Sequence, residues 1–146
     1  MFFLSHSEYD YSQKRCVDAS QWFMNQYLPR HNVDVNVHHC RLEKRENVYG
    51  WAWTVDCDYR PREFEIELHN RMTPENYTKT LLHELWHVYQ HVKNQLKDKY
   101  NKRLWRGIDH SDTAYAKQPW EKDATRMEEI LYKKYTSYLT KSNLSI

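Results

Sequence analysis

Leu81-Leu82-His83-Glu84-Leu85-Trp86-His87-Val88-Tyr89-Gln90-His91 is the stretch around which the remaining sequence arranges itself. It contains the pattern His-Glu-x-x-His inside a run that reads as helix. Residues four apart lie one above the other on a helix face, so the rings of His83 and His87 can converge on one ion. Neutral imidazole is a preferred ligand of zinc, which accepts a tetrahedral shell. Glu84 does not ligate in such an arrangement; it stands beside the activated water and can take its proton. With His83 at zero on a helical wheel, His87 falls at about 40° and Glu84 at about 100°. Leu81, Leu85, Val88, Tyr89 and Val92 gather at about 140–240°, an apolar stripe on the other side. The pattern predicts a helix anchored by one face, with its His/Glu face lining a cleft. The competing reading makes His83, Glu84, His87, Gln90 and Asn94 an ordinary solvated face.

Working outward, 146 residues suit one domain spanning 1–146, large enough to bury about two thirds of its unfolded surface. A net charge of +2 does not announce a nucleic-acid binder, and 2 Gly with 4 Pro argue against low-complexity linkers. The 12 Tyr and 6 Trp can fill a core while pointing a polar group outward. Cys16, Cys40 and Cys57 are widely spaced and form no Cys-x-x-Cys pair, so reduced thiols and a cytoplasmic location are expected. Met1-Phe2-Phe3-Leu4-Ser5-His6 is too short for a signal-peptide core or a membrane span, and no membrane association is expected.

The flanking elements predict an α+β fold. Ser12 to Leu28 reads as a helix, with Cys16, Ala19, Phe23 and Tyr27 at helical spacing and Pro29 beyond its end. Val33, Val35 and Val37 alternate with polar residues as a first strand, and Glu43-Lys44-Arg45-Glu46 reads as a turn. Val48 to Cys57 reads as a second strand with Tyr49, Trp51, Trp53, Val55 and Cys57 on one face. Glu63 to His69 is a third, with Phe64, Ile66 and Leu68 inward. Short connections favour a three-stranded antiparallel meander, with a mixed sheet as the variant. His38, His39 and His69 are expected to have ordinary surface or core roles. Thr73-Pro74 starts the motif helix as N-cap and first residue, and the helix should run to about Leu96. Lys93 to Arg106 is basic with Tyr100 and Trp105 interleaved, and reads as a solvated helix end and loop; Gly107 to Gln118 reads as loop. Pro119 opens a last helix whose stripe is Trp120, Ala124, Met127, Leu131, Tyr135 and Tyr138, with Glu121 toward its inner edge and Asp123 pointing away.

A catalytic zinc ordinarily takes three protein ligands and a water. His91 extends the histidine series but lies two turns, about 12 Å, from His83, and is better placed as a supporting or surface residue. His110 lies in a loop. Glu121 sits on a helix beside a core tryptophan and is preferred to His110, with Glu128 a minor candidate.

His83-Glu84-Leu85-Trp86-His87 followed by Pro119-Trp120-Glu121-Lys122-Asp123-Ala124 resembles the zincin metallopeptidases. Within them it is similar to the small gluzincins and to the SprT-like metallopeptidases common in phage genomes. The resemblance covers the helix, sheet, helix order over residues 12–140, though its specific motifs fill only two short segments. It implies a zinc-dependent peptidase acting on a peptide or protein, with His83, His87 and Glu121 on the metal and Glu84 as catalytic base. Gluzincins often carry an acidic residue four after the ligand glutamate; Thr125 stands there, so the partner of a zinc histidine is unassigned. Tyr115 or His110 is the expected oxyanion donor, and the strand Glu63 to His69 the expected edge for an extended peptide. The alternative, from another class, is a catalytically silent zinc-fold module that binds DNA or a protein partner through residues 93–106.

Overall fold

The computed structural model of the chain describes residues 2–6, 13–40, 49–56 and 60–144. In order, the elements are β1 (Phe2–His6), α1 (Gln13–Tyr27), β2 (Asp34–Cys40), β3 (Gly50–Thr54), β4 (Glu63–His69) and α2 (Pro74–Val92). They continue with β5 (Leu96–Lys99), β6 (Lys102–Trp105), β7 (Ile108–Asp109), a 3₁₀ turn (Tyr115–Lys117) and α3 (Pro119–Leu144). The α+β class holds. The expected turn at Glu43-Lys44-Arg45-Glu46, and Val48 and Cys57 of the second strand, lie outside the described residues.

The main sheet is not a three-stranded antiparallel meander. It has four strands in the order β1-β2-β4-β3, with β1 and β4 parallel to β2 and only β3 antiparallel to β4. Its register sets Val35 opposite Phe64 and Val37 opposite Ile66, so the two most apolar alternating strands sit side by side at the centre. All four of these side chains are buried. The strand Glu63 to His69, expected at the edge, is therefore internal, and β3 takes the outer position.

The large residues of β3 do share one face, and it is the outer one. Gly50, Ala52 and Thr54 pair with Leu68, Ile66 and Phe64 and share their face, the one covered by α2. Tyr49, Trp51, Trp53 and Val55 turn to the other side and are exposed. Space decides this. A Cβ on Gly50 would stand 2.9 Å from Thr80 Cγ2 and 3.2 Å from the Glu84 carboxylate, so no indole could take that face.

α2 begins as predicted, with Thr73 Oγ1 accepting from Asn76 N at 3.2 Å and Pro74 in the first turn. It stops short of Leu96. Asn94 takes a left-handed φ of 61°, its N–H donates to His91 O, and Gln95 N donates to Gln90 O. That pair of bonds is a Schellman cap, with asparagine in the place glycine usually fills.

The basic segment beyond it is not a loop. β5, β6 and β7 form a second antiparallel sheet, and both of its turns use two residues with positive φ, Tyr100-Asn101 and Arg106-Gly107. Such turns match the right-handed twist of hairpin strands. The sheet closes over a small cluster of Leu96, Trp105 and Trp120.

α1 packs beside α2, and α3 packs against α2. Aromatics fill the join. Trp86 stacks on Tyr89 at 4.2 Å, Tyr27 meets the edge of Trp86 at 5.6 Å, and Trp22 lies 5.3 Å from Tyr135. The α3 stripe is buried from Trp120 to Tyr135, whereas Tyr138 is exposed. Cys16 is a buried thiol, and burial pushes it up to about 11. His39 is buried and shares a 2.6 Å hydrogen bond with the Tyr77 hydroxyl, an ordinary core role. Among the described residues, no helix is long and apolar enough to cross a membrane.

Candidate metal centre

α2 and α3 lie side by side, and their contact brings three side chains to one point. Glu121, in the first turn of α3, reaches both motif histidines: His83 Nε2 is 3.2 Å from Oε1 and His87 Nε2 is 2.9 Å from Oε2. One donor atom from each of His83, His87 and Glu121 lies within 4.8 Å of the others, close enough to share a metal ion. The solvated-face reading fails on burial, since Glu84, His87 and Gln90 are all buried.

Each ring is held from behind. His87 Nδ1 lies 2.8 Å from Gln90 Oε1. The orientation of that amide follows from its other partners: its Nε2 has two acceptors, the Trp120 carbonyl and Asp123 Oδ2, both at 3.0 Å. The amide oxygen therefore faces the ring and accepts from Nδ1, so Nε2, which donates to Glu121 here, is the nitrogen that would meet a metal on losing its proton. His83 is held in the same sense by Glu128, whose Oε1 is 3.1 Å from Nδ1. Such outer partners fix the tautomer and aim of metal-binding histidines.

Thr125 is not part of this support. Glu128, seven residues after Glu121 and so on the same face of α3, fills the place that Thr125 leaves open. Asp123, expected to point away, accepts from Trp86 Nε1 at 2.7 Å as well as from Gln90, and so ties α3 to the motif helix. Gly50 is the third contributor that sequence reasoning passed over. We predict that Glu128→Ala keeps the fold but weakens zinc binding by about 10–100-fold, measured by competition with a chromophoric chelator. Unchanged affinity would show that His83 needs no anchor.

The remaining candidates are placed elsewhere. His110 is not in the group: its Nδ1 lies 3.1 Å from Thr113 Oγ1 and its ring meets Trp120 edge-on. His91 is buried against Phe64 further along the same cleft. Burial, with Arg103 and His87 adding to it, lowers His91 to about 4, so it is neutral at pH 7. Tyr115 is exposed on the 3₁₀ turn, but its hydroxyl donates to Glu121 Oε1 at 3.2 Å. No family model matches the chain, and no curated protein or solved structure shows significant similarity to it. The chemistry of the centre therefore rests on its own geometry.

That geometry is electrostatically tight. Burial works against a charged His83, but hydrogen bonds to Glu121 and Glu128 outweigh it and raise the imidazole to about 10. His87 is raised by the same carboxylate against the same penalty. Glu121 is held well below the usual carboxylate range, because its two histidine partners overcome the cost of burying it. Glu84 goes the other way: burial raises it, and the nearby histidines only partly offset the shift. One carboxyl is thus held ionised between the rings, while its neighbour is given a greater appetite for a proton. The cleft in front of them holds about 260 Å³ and is bordered by Gly50, Ala52, Tyr115 and Trp120.

Proposed function

We propose that the chain is a zinc-dependent metallopeptidase. The observation that carries this reading is the convergence of His83, His87 and Glu121 within 4.8 Å, at the wall of a cleft that Glu84 also lines. The donor set fits the ion: two imidazoles with supported Nδ1 positions and one carboxylate form a common catalytic zinc shell that leaves a position open. The order of helix, sheet, motif helix and C-terminal helix is the one the zincin resemblance implies.

Zinc bound at such a site supplies Lewis acidity, polarising a carbonyl and bringing the pKa of water towards about 7. The chain's own groups do the rest. His83 and His87 present their Nε2 lone pairs, and Glu121 brings the negative charge. Glu84 takes the proton of the attacking water and passes it to the departing amine. Its desolvation favours this, since a base works best when its pKa approaches the working pH. The Tyr115 hydroxyl stands close enough to Glu121 to donate to the oxyanion that develops beside it. β3 is the strand that borders the cleft, so it replaces the strand Glu63 to His69 as the edge on which an extended substrate lies.

The test is to load the purified chain with zinc and look for cleavage of an unstructured protein, with chelator as control. A chain that takes up zinc at this site yet cuts no peptide under any condition would contradict the reading. A finer check comes from Gly50. Gly50→Ala places a methyl 3.2 Å from the Glu84 carboxylate and 2.9 Å from Thr80 Cγ2. We expect the base to be displaced and kcat to fall by about 10–100-fold with zinc retained, since misplacement near the chemistry by about 1 Å costs on that order. An unchanged kcat would separate Gly50 from the catalytic geometry.

A further inference from the structure

The basic segment around Arg103 has no part in the metal centre, yet it forms the far wall of the cleft. Between Leu96 and Arg106 the chain carries Lys97, Lys99, Lys102, Arg103 and Arg106 against Asp98 alone. Most of these cations lie on the outer surface of the hairpin. Arg103 instead lines the cleft, beyond His87 and next to His91, Leu96 and Trp120.

Its guanidinium is fixed in advance. Nε donates to Asp98 Oδ1 at 2.7 Å and Nη2 to Asp98 Oδ2 at 2.9 Å, while the plane lies 5.5 Å over the Trp120 ring. The backbone is pinned too, with Arg103 N donating to Ser111 Oγ and Arg103 O accepting from His110 N. The fork with Asp98 leaves Nη1 for another acceptor. Below it the floor is apolar, since Leu96 and Trp120 are buried. Among the described residues that line the cleft, Arg103 is the only permanent cation; Glu84 and Glu121 are the carboxylates, and both belong to the candidate metal centre.

We propose that this end of the cleft is a subsite for a substrate carboxylate, and that Arg103 is the residue that selects it. A short apolar stem would lie over Leu96 and Trp120, with its carboxylate meeting the free edge of the guanidinium in a charge-assisted hydrogen bond. The surrounding lysines add a field that draws an anion toward this end. The carboxylate has two sources, an aspartate or glutamate side chain within the substrate or the C-terminus of a short peptide. The inference deepens the peptidase reading and rests on it.

The experiment uses the full-length chain loaded with zinc and carrying Glu84→Gln, so that binding is read without turnover. The probes are fluorescent alanine-based hexapeptides in which one glutamate is walked through each position. Each has a glutamine twin, and each is made with a free and an amidated C-terminus. We expect one glutamate register, or the free C-terminus, to bind about 10–100-fold tighter than its neutral twin, the range spanned by a charge-assisted hydrogen bond. Arg103→Gln should erase that difference, and Arg103→Lys, which keeps the charge but loses the fork, should keep only part of it. If the single change unsettles the hairpin, Asp98→Asn with Arg103→Gln avoids an unpaired carboxylate and should erase the preference equally. Twins that bind alike, or a preference that survives Arg103→Gln, would overturn the subsite. So would salt-dependent capture of an oligonucleotide that loses affinity with Arg103→Gln while the peptide twins do not differ. Cleavage by the chain with Glu84 intact is scored separately: a carboxylate preference without any cleavage would refute the peptidase and leave the subsite standing.

Discussion

Glu84→Gln is expected to lower kcat/KM for peptide cleavage by about 10²–10⁴-fold, the usual contribution of a positioned general base. Zinc content should stay at about one per chain, because this carboxylate is not one of the converging ligands. The amide is nearly isosteric, so its packing beside Gly50 persists and the fold is preserved. What is lost is the lone pair that accepts the proton. The buried setting of Glu84 makes the test sharp, since an amide there also avoids the cost of desolvating a charge. Cleavage assays beside elemental analysis of the same sample check both halves. Intact cleavage with zinc bound would mean that another group takes the proton.

The second large effect is expected from Glu121→Ala and His87→Ala. Each removes one of the three proposed ligands, so zinc affinity should fall by more than the roughly 10–100-fold that outer partners are worth, and activity should fall with it. The metal-free fold should survive Glu121→Ala less well than a surface change. Without that carboxylate, His83 and His87 lose the partner each contacts at 3.2 and 2.9 Å. The same pairs set a pH dependence. With no metal present His83 is raised to about 10, so it holds a proton at neutral pH that zinc must displace. Apparent zinc affinity in the intact chain should therefore climb as pH rises from 6 toward the His83 value of about 10. Calorimetric titration at several pH values reads both the affinity and the proton release. A flat profile would separate the histidines from the metal.

Much of this centre was legible in the sequence because it depends on helical spacing. The i, i+4 histidines, the apolar stripe behind them and the first-turn glutamate of α3 are local patterns, and they survive folding unchanged. The supports were harder to see. Glu128 and Asp123 act across the α2–α3 contact, and which of them meets the motif helix depends on how the two helices are rotated against each other. No single-helix wheel contains that. The sheet was misread for a related reason. Alternation in residues 48–57 groups the large aromatics on one face without saying which way it turns; Gly50, Ala52 and Thr54 face α2 because Glu84 and Thr80 need the room. The central place of β4 was likewise visible only as the cleanest apolar alternation, not as an order of strands. The hairpins after Asn94 were hidden by composition, since lysines and arginines mask short strands. The left-handed positions at Asn94, Tyr100-Asn101 and Arg106-Gly107 were the signals that mattered there.

The central claim is that two imidazoles on α2 and one carboxylate on α3 hold a single zinc ion. A crystal structure of the zinc-loaded chain, with anomalous scattering recorded at the zinc edge, tests it most directly. The account predicts one strong site, with His83 Nε2, His87 Nε2 and a Glu121 oxygen each about 2.0–2.2 Å from the ion and Glu84 beside it without bonding. An ion held elsewhere, or a site that Glu121 does not reach, would contradict it.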